Sequence, residues 1–445
     1  MIEDLTSDSY ELTPGHEDSN FSEAFDFASS QASYRDAAEK WRKLSQEEKM
    51  AAGNDLQTYL TSVGVDNPKF MPSFPQVRNL HLLRSEIKAQ IDSENRFRVL
   101  GIEEFNANSS LIQLLEHMEN TNHIREIYRL RKLTTGRDPK SGINEEQARV
   151  LRNCMRQGRD LFLSGQNGSL MIKPLVWFYS LTAYAYACII LNSPIRYSLD
   201  TLPSSHGLNY LPLDLKTQFG GSIKQGTFSE LFAAFPTAHI QNSRISFVQS
   251  LEESIRAFQT IRVTSGCGTL LSLLPEMREF YSILTGKPSR ALPLDIAQIP
   301  DGRGMKWEFQ IGDGQQRPDQ TILDRAFNGM PKTERQGRVI VTVPPTELHK
   351  TKALIYTDVR GRFWYIDNPF FPILLPEIGI HFLLANAFSS IMRYKPGVWG
   401  DILLNEVASD LALLVRKYFS TFETKVPLLL LRHLSQFMPY VDPEA

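Results

Sequence analysis

The stretch Lys173–Pro194, "KPLVWFYSLTAYAYACIILNSP", decides the fold. No charged side chain lies between Lys173 and Arg196. A bilayer span needs about 20 mostly apolar residues, so length alone would permit a membrane helix. Content argues against it. Tyr179, Ser180, Thr182, Tyr184, Tyr186 and Asn192 are spread along the segment, whereas the tyrosines of spanning helices gather at the two interfaces. Pro174 suits the first helical turn, and "NSP" ends the helix. Ser180, Ala183, Ala187 and Leu191 fall on one face, which lets another helix come close. Trp177, Leu181, Tyr184 and Cys188 form a second apolar face. A helix that is apolar all round, with polar groups scattered through it, reads as the central helix of a globular core.

The rest of the chain fits that setting. It has 445 residues, of which 42% are hydrophobic and 22% charged, an ordinary globular composition with enough length for roughly two to three domains. The net charge of −2 selects no partner class by itself. Cys154, Cys188 and Cys267 form no CxxC pair, which excludes a disulfide framework and a cysteine-type zinc site, and a reducing, cytoplasmic setting is expected. Residues 1–34 hold eight Asp or Glu and no Lys or Arg. They read as an acidic disordered leader and not as a secretory signal.

Residues 35–107 read as a helical N-terminal unit and linker. Ser45 with Glu48 is a capping box, and "DNPKFMPSFP" (Asp66–Pro75) is a linker by its prolines. Residues 80–107 read as a helix and a short connection. The segment "EKWRKLSQEEK" (Glu39–Lys49) is similar to a piece of the HMG-box family, but it lacks the basic flanks of a minor-groove binder, so the reading is a generic helical hairpin.

Residues 108–440 read as mainly α with a small inserted antiparallel β-sheet, an α+β domain. The helix that follows Asn144 has a cap, acids in its first turn and a glycine stop at Gly165. A β-hairpin around Gly220–Gly221 and then a short helix are expected at 211–235. The sheet is expected at about 302–366, where "GMKWEFQIGD", "GRVIVTVPP", "KALIYTDVRGR" and "FWYIDNP" alternate with Gly- and Pro-rich turns. The last 40 residues read as helix.

The order and spacing of several pieces resemble the YaaC-like protein family. They are "KPLVWFYSLTAYAYACIILN" followed by "HGL", then "LLSLLPEMREFYSILTGK", then "LLPEIGIHFLLANAFSSIMRYKPGVW". The resemblance covers about 110–435. It implies a shared fold and carries no catalytic residue over to this chain.

The plainest candidate for chemistry is electrostatic. Arg149, Arg152, Arg156 and Arg159 lie within an arc of about 80° on one helix, with Leu151, Met155, Gly158 and Phe162 opposite. Arg125, Arg129 and Lys132 share a face of the preceding helix. Residues 121–159 hold ten Lys or Arg against four Asp or Glu, +6 locally. Such a stripe can grip phosphates through bidentate hydrogen bonds, or it can be a solvated amphipathic face. A second constellation is Lys173, His206, Glu377, His381, Asn386, Arg393 and Tyr394. Arg393, near the end of an apolar helix, would need a carboxylate or phosphate if buried. Glu377 and His381 are spaced i, i+4, but no further ligands can be named, so no metal site and no cofactor are expected. His206 could serve as a general base. Cys267, in "SGCGTLL" before a helix, could be an activated thiol. The chain lacks GxxxxGK[ST], HExxH, GxSxG and GxGxxG, which removes the commonest hydrolases and dinucleotide enzymes.

The expectation is an intracellular binding module whose basic helix face meets nucleic acid or a phosphate-bearing ligand. The alternatives are a metal-independent ribonuclease using Arg159 with His206, and a non-catalytic scaffold that meets a protein partner through residues 35–107. No membrane association is expected.

Overall fold

The computed structural model describes residues 32–51, 59, 98–134, 143–192, 198–211, 215–221, 226–234, 237–241, 244–248, 252–300, 305–404 and 409–442. The acidic leader up to residue 31 and the proline linker at 66–75 lie outside them. The chain divides into two compact units. One comprises Met1–Arg96 with Arg129–Gly142, the other Phe97–Tyr128 with Ile143–Ala445.

In the smaller unit, α1 (Ala32–Lys43) is followed by α2 (Gln46–Ala51). Ser45 starts α2 as expected. The Glu48 amide donates to Ser45 Oγ at 3.3 Å, and the Ser45 amide donates to Glu48 Oε2 at 2.7 Å.

The larger unit begins with β1 (Arg98–Glu103), α3 (Ala107–His117), α4 (Thr121–Thr134, whose residues from Arg129 on are counted with the smaller unit), α5 (Glu145–Asn167) and α6 (Lys173–Asn192). Next come β2 (Asn209–Leu211), β3 (Lys216–Phe219), α7 (Thr227–Ala234), β4 (Thr237–Gln241), β5 (Arg244–Val248), α8 (Glu252–Thr260), β6 (Val263–Gly266), α9 (Cys267–Ser272) and α10 (Arg278–Thr285). The sheet region holds β7 (Ala291–Pro300), β8 (Met305–Ile311), α11 (Gln320–Ala326), β9 (Lys332–Arg335), β10 (Arg338–Val343), β11 (Leu354–Thr357) and β12 (Phe363–Ile366). The chain closes with α12 (Glu377–Tyr394), α13 (Pro396–Leu403), α14 (Ser409–Leu434) and β13 (Phe437–Asp442). The protein is thus mainly helical with small sheets.

Helix α6 is the core helix its sequence announced. Among the described residues it is the one helix long and apolar enough to cross a membrane, yet most of it is buried inside the protein. Helices α5, α12 and α14 surround it. Trp177 stacks on Phe422 of α14 with ring centroids 4.9 Å apart. Phe178 meets Phe382 of α12 edge-on at 5.4 Å. Against α5 the approach is closest. Ser180 Oγ donates to Gly158 O at 2.6 Å, and Trp177 Nε1 donates to Phe162 O at 3.1 Å. A Cβ at Gly158 would lie 2.6 Å from the Tyr184 ring, and one at Gly165 2.2 Å from Trp177 Nε1. Those two glycines are therefore packing residues, and α5 runs on past Gly165 to Asn167. Its start is the expected one, a full capping box between Asn144 and Gln147.

The main sheet has six antiparallel strands in the order β11-β12-β7-β8-β10-β9. Trp307, Phe309, Leu323, Phe327, Val341 and Tyr365 form a second core on it. Strand β7 precedes the stretch that reads as sheet in the sequence, and its prolines hide it. Ala291–Pro293 pair with β12 and Leu294–Pro300 with β8, so Pro293 sits where the strand changes partners and its missing N–H breaks no ladder.

Three other expectations are corrected. Gly220 and Gly221 do not turn a hairpin. They adopt φ of +73° and +61° after β3, where a Cβ at Gly220 would lie 2.5 Å from Ile261 O, and β3 pairs with β2 and β6. The short helix expected after them is α7. Arg98–Glu103, within the stretch read as a helix and a short connection, is strand β1, and Phe437–Asp442, read within the last helical stretch, is β13. The two pair with each other in parallel. A partner more than 300 residues away leaves no local trace in the sequence.

Candidate functional site

The strongest concentration of buried charge lies where α12, α14, the 3-10 turn Pro275–Met277 and the end of β11 meet. Its centre is Lys425 of α14, whose side chain is 0% exposed. Its ammonium has three partners. Nζ donates to Glu276 Oε1 at 2.9 Å and to Thr357 O at the end of β11. Glu377 Oε1 lies 2.9 Å away, an ion pair out of line for a hydrogen bond. Two turns on, the buried Arg432 donates to Thr357 Oγ1 and, at 3.3 Å, to Pro439 O. Spacing i, i+7 places both cations on one face of α14. An ion taken out of water is tolerated only when paired and hydrogen-bonded, and these four side chains supply two cations and two carboxylates.

Burial here shifts the titration of Glu377 and of a neighbouring histidine. Burial pushes the Glu377 carboxyl up to about 7, with Glu276 adding to the rise and Lys425 opposing it. His381, one turn along α12, is fully buried and stacked on Tyr418 with centroids 5.8 Å apart. Burial, and then Lys425, push it down to about 3. It stays neutral, and neither ring nitrogen has a hydrogen-bond partner.

The network reaches the surface through Glu276. Its Oε1 holds Lys425, while its Oε2 is buried without a partner. Glu276 lines a cleft of about 510 Å³ between the start of α3 and the outer side of α14. Asn108 and Ser109 stand on one wall, and Lys417, Ser420, Thr421 and Thr424 on the other. Thr424 Oγ1 reaches across to Asn108 Oδ1 at 3.2 Å. Phe105, at the mouth, is 96% exposed. A cavity of this size, with few convergent polar groups and a buried carboxylate, has the dimensions of a small-molecule site.

Residues 113–434 match the model of the YaaC-like protein family. The chain belongs to the YaaC-like family. The match runs from within α3 to the end of α14, so it contains Glu276, Glu377, Lys425 and Arg432. The Phe105–Ser109 side of the cleft lies ahead of it. No curated protein and no solved structure matches this YaaC-like chain.

Within the YaaC-like domain the arginine stripe is distributed among local partners. Arg159 is inward and bidentate on Glu119, Nε–Oε1 2.6 Å and Nη2–Oε2 3.2 Å, which raises its affinity for its proton further. Arg149 pairs with Glu146, and Arg125 with Glu145 at 3.4 Å. Arg152 donates to Asn153 Oδ1 at 3.0 Å. Arg156 is exposed beside a shallow depression of about 440 Å³ formed with Gln157, Asp160 and Ser164. The Lys132 side chain lies outside the described residues.

The second constellation separates into unrelated contacts. Lys173 Nζ pairs with Glu423 at 2.7 Å and lies 4.9 Å from the Trp177 ring centroid. Arg393 is half-buried, and its partners are the Ser389 carbonyl at 3.3 Å and the Tyr394 ring, not a carboxylate. His206 stands edge-on to Phe178, with its Nδ1 buried and unpartnered. Burial, then the charge of Arg393, lower its pKa. Cys267 opens a helix of only six residues, and burial pushes its thiol up to about 12. That is the reverse of what a nucleophile needs at neutral pH. Glu377 and His381 share a helix face, but the cation at Glu377 is the ammonium of Lys425.

Sequence reasoning singled out Glu377 and missed Glu276, Lys425 and Arg432. A signal was present in "KVPLLLLR", where Lys425 and Arg432 bracket an otherwise apolar run at one-face spacing.

Proposed function

We propose that this YaaC-like protein is a ligand-binding module and that its site is the cleft at Glu276. One observation carries the reading. Glu276, anchored through Oε1 on the buried Lys425, lines a cavity large enough for a small molecule. Lys425 holds Oε1 at 2.9 Å, which fixes this part of the wall in place before any ligand arrives.

The test is thermal unfolding of wild type and of Ser420→Trp in the presence of small polar compounds of varied charge. Ser420 is exposed on the cleft wall, so the indole fills the cleft without entering the core. A ligand at about 100 times its Kd adds about 2.7 kcal/mol. Stabilisation of wild type alone supports the reading. Stabilisation of both proteins by the same compounds overturns it.

A second reading places nucleic acid or another phosphate-bearing ligand on the outer face of α5. It is favoured by Arg152 and Arg156, for which no ion pair occurs among the described residues. Steep weakening of RNA or DNA binding with salt, and loss on changing both to Gln, would support it. A ribonuclease role would need Arg159 and His206 at one phosphate, and the commitment of Arg159 to Glu119 argues against it.

A further inference from the structure

Resting on that reading of the cleft, we infer that the ligand is an organic monocarboxylate with an apolar body. Its carboxylate meets Lys417 and Ser420, and its body lies against Phe105. Charge, donors and shape converge on this class.

Charge comes first. The ionisable side chains that line the cleft are Glu104, Glu276 and Lys417. Both acids already have a cation. Glu104 pairs with Arg360 at 3.6 Å, and Glu276 with Lys425 at 2.9 Å. Behind Glu276, Lys425 also meets Glu377, and the buried Arg432 supplies the second positive charge. Lys417 has no carboxylate partner among the described residues. Its neighbours one turn away on α14 are Leu413, Leu414, Ser420 and Thr421, none of them an acid. Its ammonium lies instead 5.1 Å from the centroid of the exposed Phe280 ring, a contact that steadies the side chain without neutralising it. The wall therefore carries one positive charge in excess, and an occupant with one negative charge balances it. A cation would be repelled. A phosphate ester would bring a second negative charge, and no arginine fork lines the cleft to receive its oxygens.

A carboxylate only accepts hydrogen bonds, so it needs donors that the fold leaves unused. Ser420 is exposed on the same wall, one turn on from Lys417, and its hydroxyl makes no hydrogen bond among the described residues. On the facing wall, Thr424 Oγ1 donates to Asn108 Oδ1 at 3.2 Å. That leaves Nδ2 as the free end of the Asn108 carboxamide. An ammonium, a hydroxyl and an amide nitrogen match the acceptor-only head of a carboxylate. Shape supplies the rest. A carboxylate alone leaves most of the volume of about 510 Å³ unfilled. Phe105 sits on the 3-10 turn Glu104–Asn106 at the mouth, 96% exposed, although a phenylalanine normally buries its ring. Ala107, Val359 and Val441 add apolar lining. An apolar body on the ligand takes that surface out of water.

The test is titration by saturation-transfer-difference NMR on the full-length protein. The probes are phenylacetate, hexanoate, phenylacetamide, phenethylamine and phenyl phosphate, each over the millimolar range. Wild type is compared with Lys417→Met, Lys417→Arg, Phe105→Ala and Ser420→Trp. All four substitutions are at exposed or half-exposed positions outside the buried charge network, so the variants fold. The two carboxylates are expected to bind wild type about tenfold or more tightly than the amide and the amine, as a charge-assisted hydrogen bond allows. Lys417→Met erases that preference, Lys417→Arg keeps it, Phe105→Ala weakens both carboxylates, and Ser420→Trp binds none of the probes. The ratio of phenylacetate to hexanoate tells whether the body is aromatic or aliphatic. Amide, amine or phosphate ester binding as tightly as phenylacetate, and lost in Ser420→Trp, overturns the monocarboxylate class and leaves the cleft reading standing. A carboxylate preference that survives Lys417→Met overturns the role of Lys417, and binding unchanged in Phe105→Ala overturns that of the ring. Probes that respond equally in wild type and Ser420→Trp, or not at all, overturn both the class and the cleft reading.

Discussion

The outer face of α5 and the inner end of α14 both concentrate cations, with opposite consequences. On α5 the charges are close in sequence and mostly exposed; Arg149 and Arg159 are partnered by acids of the same helix or its neighbour, while Arg152 and Arg156 make no ion pair among the described residues. Pairs of that kind contribute about 0–1 kcal/mol and are screened by salt. On α14, Lys425 and Arg432 are seven residues apart and buried, and the groups they meet, the carboxylates of Glu276 and Glu377 for Lys425 and the Thr357 hydroxyl and Pro439 carbonyl for Arg432, lie outside that helix. There the same charges cannot be solvated, so each depends on its partners. A run of like charges in sequence thus marks a surface, whereas an isolated cation inside an apolar run marks an electrostatic site.

The comparison breaks first at Lys425. Lys425→Met leaves two carboxylates buried without their cation and is expected to cost about 3–5 kcal/mol, measured by denaturant unfolding. Adding Glu276→Gln and Glu377→Gln should recover most of that loss. A loss below about 1 kcal/mol would mean the ammonium is dispensable. By contrast, Arg149→Gln, Arg152→Gln and Arg156→Gln are each expected to stay within about 0.5 kcal/mol of wild type.

The pH dependence sharpens the contrast. The Glu377 carboxyl sits at about 7 folded against an ordinary 4.5. The folded protein therefore binds the extra proton between those values, and stability falls as pH rises through that window. His381 sits at about 3 against an ordinary 6.5. There the unfolded chain binds the extra proton, and stability falls as pH drops from about 6.5 toward 3. In wild type the two slopes oppose each other between pH 4.5 and 6.5. Glu377→Gln should unmask a rise in stability with pH up to about 6.5, and His381→Phe a decline from about 4.5 to 7. Variants that keep the wild-type profile would show that neither group titrates this way.

Arg159 is the intermediate case. It is nearly buried on Glu119, so Arg159→Gln should cost about 1–3 kcal/mol, between Lys425→Met and the exposed arginines. A cost like that of Arg152→Gln would return Arg159 to the solvated stripe.

What the sequence disclosed follows from the range of each interaction. Helix α6, the Asn144 cap and the buried side of α5 were legible because periodicity and capping act within a few residues. The sheet was legible from β8 onward, while Pro293 masked β7. The β1–β13 pair was not legible, because neither strand carries information about the other. The site divides the same way. Glu377 drew attention as a polar residue in an apolar helix, but Glu276 and Lys425 are 149 residues apart and only the fold brings them together. The arginine stripe was fully visible in sequence, and the structure shows how local acids divide it.

The measurement that bears most directly on the cleft is native mass spectrometry of wild type and Ser420→Trp. Both proteins would be incubated with the same millimolar mixture of sugars, nucleosides, amines and carboxylates. A one-to-one adduct on wild type that Ser420→Trp lacks is the expected result, and its mass names the ligand class. Identical spectra from the two proteins, with the same adducts or with none, would contradict a ligand site at Glu276.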